Sequence, residues 1–83
     1  NSMELVAFTD YLVKNLVKKP DMVSVKKFDD EDEYIIIQIL VSSEDMGTLI
    51  GKNGNTINAI RTLVQSSAYI NNEKKVKINV DSF

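Results

Sequence analysis

Thr48-Leu49-Ile50-Gly51-Lys52-Asn53-Gly54-Asn55-Thr56-Ile57-Asn58-Ala59-Ile60-Arg61 joins two helical patterns through four residues, two of them glycine. Glycine permits a sharp turn and removes the side-chain bulk that would hold a ligand off the backbone. A helix starting at the loop points its unpaired N–H groups and the positive end of its dipole outward there. Lys52 adds a flexible positive charge. Together these make a phosphate clamp that reads backbone rather than base. A nucleotide-binding P-loop needs four residues between its glycines and Ser or Thr after the lysine, whereas Gly47 and Gly51 enclose three and Asn53 follows Lys52. Asn53-Gly54 is a favoured hairpin pair, but the helical stripe beyond it argues against a strand there. On the four residues alone, a plain helix–helix corner stays open beside the clamp.

Downstream, Ile57, Ile60, Leu63, Val64 and Ala68 fall on one stripe and predict a helix over residues 55–70, ended by Asn71-Asn72 because Asn tolerates the left-handed conformation. Val76, Ile78 and Val80 then alternate with Lys75, Lys77 and Asn79, a half-buried strand with a basic outer face. Upstream, residues 34–41 are apolar on both faces, Ile35, Ile37, Ile39 and Val41 on one and Ile36 and Leu40 on the other, as expected of a central strand. Ser42 or Ser43 can cap a short helix running to about residue 50, with Asp45 closing a capping box. Residues 22–28 predict a further strand and residues 29–33 an acidic turn, read as a solvated hairpin tip. Calcium binding there would need spaced ligands and a glycine. Leu5, Phe8, Leu12 and Leu16 predict a first helix over residues 4–18, stopped by Pro20.

The order is helix, strand, strand, helix, helix, strand. The first two strands form an antiparallel hairpin, and the two-helix crossover lets the last pair parallel to the central one. The expected fold is α+β, a three-stranded mixed sheet covered on one face by three helices. Met3 suits a native start and Asn1-Ser2 a tag remnant, leaving residues 3–83 as one domain.

At 83 residues with 43% hydrophobic content, the chain suits one small globular domain. It contains no Cys and no His. Disulfides, thiolate or histidine metal sites, and Ser–His or Cys–His catalysis are therefore excluded, and no metal or cofactor is expected. No apolar run approaches a membrane span, and the first residues lack a secretory pattern, so a cytoplasmic protein is expected. The net charge of −2 is unevenly spread: residues 1–45 carry five Lys against ten Asp+Glu, and residues 46–83 carry five Lys+Arg against Glu73 and Asp81. A basic second half can carry an anion-binding face despite the acidic total.

The stretch from Thr48 to Arg61 closely resembles the core signature of KH domains: an apolar pair, Gly-x-x-Gly, then Thr-Ile opening a helix. The element order resembles the type II, prokaryotic arrangement. Over essentially its whole length, the chain is similar to the small bacterial single-domain proteins of the KhpA-like family. The resemblance implies single-stranded RNA binding in a groove between the glycine loop with its flanking helices and the sheet edge, holding about four nucleotides. Carried onto this chain, Gly51, Lys52, Asn53 and Gly54, with Asn55 beside them, would hold the sugar-phosphate backbone. Ile50, Ile57 and one face of residues 35–41 would floor the bases, and Arg61 would reach a phosphate if it faces the groove. Asn55 stands where close relatives often carry a basic residue, and Asn53 is neutral, so the loop offers one positive charge. Weak, salt-sensitive binding follows. The family is also associated with homodimers and with a larger KH-containing heterodimer partner.

Three functions thus compete: a non-catalytic RNA-binding module; a protein-interaction or dimerisation module with weak or no RNA binding; and an enzyme. The last is disfavoured because the carboxylates cluster in one presumed turn.

Overall fold

β2, Tyr34–Val41, lies at the centre of a three-stranded sheet ordered β1-β2-β3 in the computed structural model, which describes residues 2–29 and 33–83. Its alternation is complete: Ile35, Ile37, Ile39 and Val41 are all 2% exposed or less, while Tyr34, Ile36, Gln38 and Leu40 are half-buried on the other face. β1, Ser24–Asp29, pairs antiparallel to it and β3, Lys75–Ser82, pairs parallel, as the sequence predicts. The acidic tip between β1 and β2 lies largely outside the described residues.

Three helices cover the inner face. α1, Ser2–Lys14, contributes Leu5 and Val13; α2, Met46–Ile50, contributes Leu49; and α3, Asn55–Ile70, contributes Ile57, Ile60, Val64 and Ala68. Burying this apolar set is the main favourable term in folding. Asn72 adopts the left-handed conformation expected after α3, with φ of 58°.

Four local expectations need correction. α1 ends at Lys14 rather than near residue 18, and Leu16 is 42% exposed. The cause is long-range: the Lys18 and Lys19 amides donate to the two carboxylate oxygens of Asp45, each at 3.0 Å, which draws the chain out of the helix. Asp45 accordingly closes no capping box. It is fully buried and makes no side-chain cap bond to α2, while Ser42 caps the short 3₁₀ turn Ser43–Asp45 by accepting from the Glu44 amide. β1 begins at Ser24, because Pro20–Met22 forms a 3₁₀ turn. Leu63, placed on the buried stripe of α3 by its spacing, is 49% exposed.

Candidate nucleic-acid interface

Between α2 and α3 the chain turns within Gly51, Lys52, Asn53 and Gly54. Three of these residues have positive φ: Gly51 at 78°, Asn53 at 56° and Gly54 at 75°. The two glycines serve different ends. At Gly51 the backbone (φ 78°, ψ 174°) lies in a region that only glycine occupies readily, and a Cβ there would overlap Thr56 Oγ1 and come within 2.9 Å of the Thr56 backbone nitrogen. At Gly54 an added Cβ would meet only Asn58 Nδ2, at 3.7 Å, so the cost is the left-handed backbone alone. Gly54→Ala is expected to lower stability by about 1 kcal/mol, and Gly51→Ala by about twice that or more, in paired urea unfolding curves. Equal losses would show that the Thr56 contact is immaterial.

Lys52 and Asn53 are exposed, as is Asn55. α3 begins directly behind them with Gly54 as its N-cap and without a side-chain cap bond, so its first turn presents backbone N–H groups at the loop. Ile50 is half-buried at the end of α2, whereas Ile57 is a core residue, 3% exposed. Of the strand expected to offer one face to the bases, the face of Ile35, Ile37, Ile39 and Val41 is likewise sealed under the helices. The open space lies elsewhere. A cleft of about 1070 Å³ runs between α3 and β3, with Arg61, Thr62 and Gln65 on one wall and Lys75, Lys77 and Asn79 on the other. The positive excess of the second half of the chain thus collects around this cleft, next to Glu73.

Arg61 faces the cleft, and it is held there. Its guanidinium donates to Asn58 Oδ1 at 3.2 Å and, across the cleft, to the Ile78 carbonyl at 3.2 Å. One turn on, Gln65 Oε1 accepts from the Val76 amide at 2.9 Å. Sequence reasoning missed this pair of contacts to the free edge of β3. A polar residue four positions after an arginine on a helix is too common a pattern to signal it.

The KhpA/KhpB KH-domain model matches residues 7–81. The chain belongs to this KH-domain family. Among curated relatives, the RNA-binding protein KhpA of Chlamydia caviae is 45% identical over 67 residues, covering 81% of this chain and 85% of the relative. The RNA-binding protein KhpA of Clostridium perfringens is 45% identical over 67 residues (81% and 88%), and that of Thermotoga maritima 36% over 69 residues (83% and 88%). Among solved structures, Aquifex aeolicus Era aligns with a TM-score of 0.66 at 16% identity over 94% of this chain and 29% of that one, a likeness of fold alone. As in the KH-domain reading of the sequence, Gly51 to Gly54 connect two helices, the second of which goes on to form one wall of the α3–β3 cleft.

Proposed function

We propose that this chain is a non-catalytic RNA-binding domain of the cytoplasm that takes single-stranded RNA with the sugar-phosphate backbone at Gly51, Lys52, Asn53 and Gly54. The observation that carries this reading is the uncapped start of α3 behind an exposed loop, with Arg61, Lys75 and Lys77 bordering a cleft further along the same helix. Backbone N–H groups and a helix dipole favour phosphate oxygens, and lysines beside them release counterions on binding. Family membership and the names of the relatives point the same way. Among the described residues no helix is long and apolar enough to cross a membrane. Asn55 and Arg61 extend the phosphate path along the first turns of α3. Ile50 borders it at the end of α2, and Ile57 supports it from the core.

With about two to four phosphates neutralised, log K is expected to fall with log salt at a slope of roughly −1.5 to −3 for a short single strand. Fluorescence anisotropy across a salt series measures it, and a flat dependence would overturn the phosphate assignment. Duplex RNA of the same length is expected to bind more weakly, because a groove of this kind takes splayed bases rather than a helix. Equal affinities would reduce the binding to diffuse electrostatics.

A second reading, self-association or pairing with another KH-containing protein, has its own observation. Tyr11, Leu16 and Leu63 are 65%, 42% and 49% exposed and, with Leu12 and Ala59, line an apolar depression between α1 and α3. Sedimentation with concentration-dependent mass, lost in Leu63→Glu, is the outcome that reading requires. A monomer at high micromolar concentration would remove it.

A further inference from the structure

The outer face of the sheet is a surface left unused by the proposed groove. Strand register places its side chains in rows. Phe28, Ile36 and Lys77 form one row across β1, β2 and β3, with Tyr34 and Lys75 in the row on one side and Lys26, Gln38 and Asn79 in the row on the other. Phe28 is 50% exposed, and Lys77 Nζ sits 4.0 Å from the centroid of the Tyr34 ring. Among the described residues of the three strands, the charges on this face are Lys26, Lys75 and Lys77 against Asp81, and Asp81 lies in the row of Ser24 and Leu40, away from Phe28. Asp29 belongs to the opposite face and pairs with Lys27 at 3.3 Å. Three lysines thus share this face with an exposed aromatic ring, Lys77 in the ring's own row and Lys26 and Lys75 in the flanking rows.

We propose that this face is a second contact surface for single-stranded RNA, onto which a strand leaving the α3–β3 cleft continues over the edge of β3. The proposal rests on the RNA-binding reading above. Continuity supports it: Lys75, Lys77 and Asn79 border the cleft and also stand on the outer face. Phe28 supplies a ring on which a base stacks, with Ile36 beside it. Sequence-tolerant stacking of this kind needs only the π-face that every base has. Lys77, already ordered against Tyr34, meets a phosphate with less loss of side-chain freedom than a mobile lysine would. Phe28 and Lys77 are two strand spacings apart, about 10 Å, a distance one nucleotide and its flanking phosphate can bridge.

The test compares unstructured oligonucleotides of about five and about twelve nucleotides, the shorter sized near the four that a KH groove holds. They are titrated by anisotropy against the wild-type chain, Phe28→Thr, Lys77→Gln and the loop variant Lys52→Asp/Asn53→Asp. Threonine keeps strand propensity at the half-exposed position. The expected result is that Phe28→Thr weakens the longer strand about tenfold and leaves the shorter one unchanged, whereas Lys77→Gln weakens both, because Lys77 also borders the cleft. A longer strand carrying 4-thiouridine at its end is expected to crosslink to the β1–β2 hairpin. Unchanged affinity of Phe28→Thr for the longer strand overturns the proposal. So does sedimentation showing an RNA-free dimer that Phe28→Thr dissolves, since a second copy would then occupy the face. Should the loop variant bind the short strand as well as wild type does, the groove reading fails instead, independently of the sheet.

Discussion

Replacing Lys52 and Asn53 together with aspartate is expected to weaken binding of a short single-stranded RNA by about a hundredfold or more while leaving the thermal midpoint almost unchanged. The loop charge goes from +1 to −2. Three unit changes, each worth about 1 kcal/mol at contact distance in water, sum to roughly 3 kcal/mol, slightly over a hundredfold. The effect falls on the proposed phosphate path at the start of α3. Stability should move by no more than about 0.5 kcal/mol, because both side chains are exposed. Asn53 has left-handed backbone angles, φ 56° and ψ 26°, which aspartate also tolerates. Carboxylates beside an uncapped helix N-terminus are favourable in themselves. A melt beside an RNA titration decides it: unchanged melting with undiminished binding would make the loop a simple corner between helices.

The strands were legible because their evidence is local. β2 is apolar on both faces and β3 on one, so their places at the centre and edge of the sheet follow from alternation alone. The loop was legible because two glycines in a four-residue connection leave few conformations open, and Gly51 does adopt one denied to other residues. What escaped depends on residues far apart in the chain. Helical spacing assigned Leu63 to the core, but only the docking angle of α3 on the sheet determines which edge of an apolar stripe reaches solvent. The sequence makes Arg61 a phosphate ligand only on condition that it faces the groove, and the bond to the Ile78 carbonyl that sets its direction spans 17 positions. That bond gives the side chain a fixed place on the wall of the cleft, so a phosphate would meet a guanidinium already aimed. The resemblance makes Ile50 and Ile57 parts of one floor for bases, yet one borders the loop and the other lies in the core, because adjacent turns around a sharp corner do not share a face.

Asp45→Ala is expected to be among the most destabilising single substitutions in the chain. Its carboxylate is fully buried and accepts from the Lys18 and Lys19 amides at 3.0 Å each, 27 and 26 residues away. These bonds anchor the exit of α1 to the entrance of α2, the helix that leads into the glycine loop. Alanine removes both acceptors and leaves two part-buried N–H groups without them. Hydrogen bonds to a charged group contribute about 1.5–3 kcal/mol each, so a loss of about 3–5 kcal/mol is expected. In a domain of this size that lowers the thermal midpoint by on the order of 15–25 °C. Asp45→Asn restores one acceptor but turns an NH₂ toward the second amide, and its loss should fall between wild type and alanine. The same junction supplies a control. Lys19 Nζ also meets Glu44 Oε1 at 3.2 Å, but both side chains are largely exposed. An exposed ion pair contributes little, so Glu44→Ala should cost less than about 1 kcal/mol. If Asp45→Ala melted no lower than Glu44→Ala, burial and geometry at Asp45 would not be setting its energetic weight. RNA affinity measured well below the melting range should change little in Asp45→Ala, because the carboxylate supports the scaffold and not the proposed phosphate path.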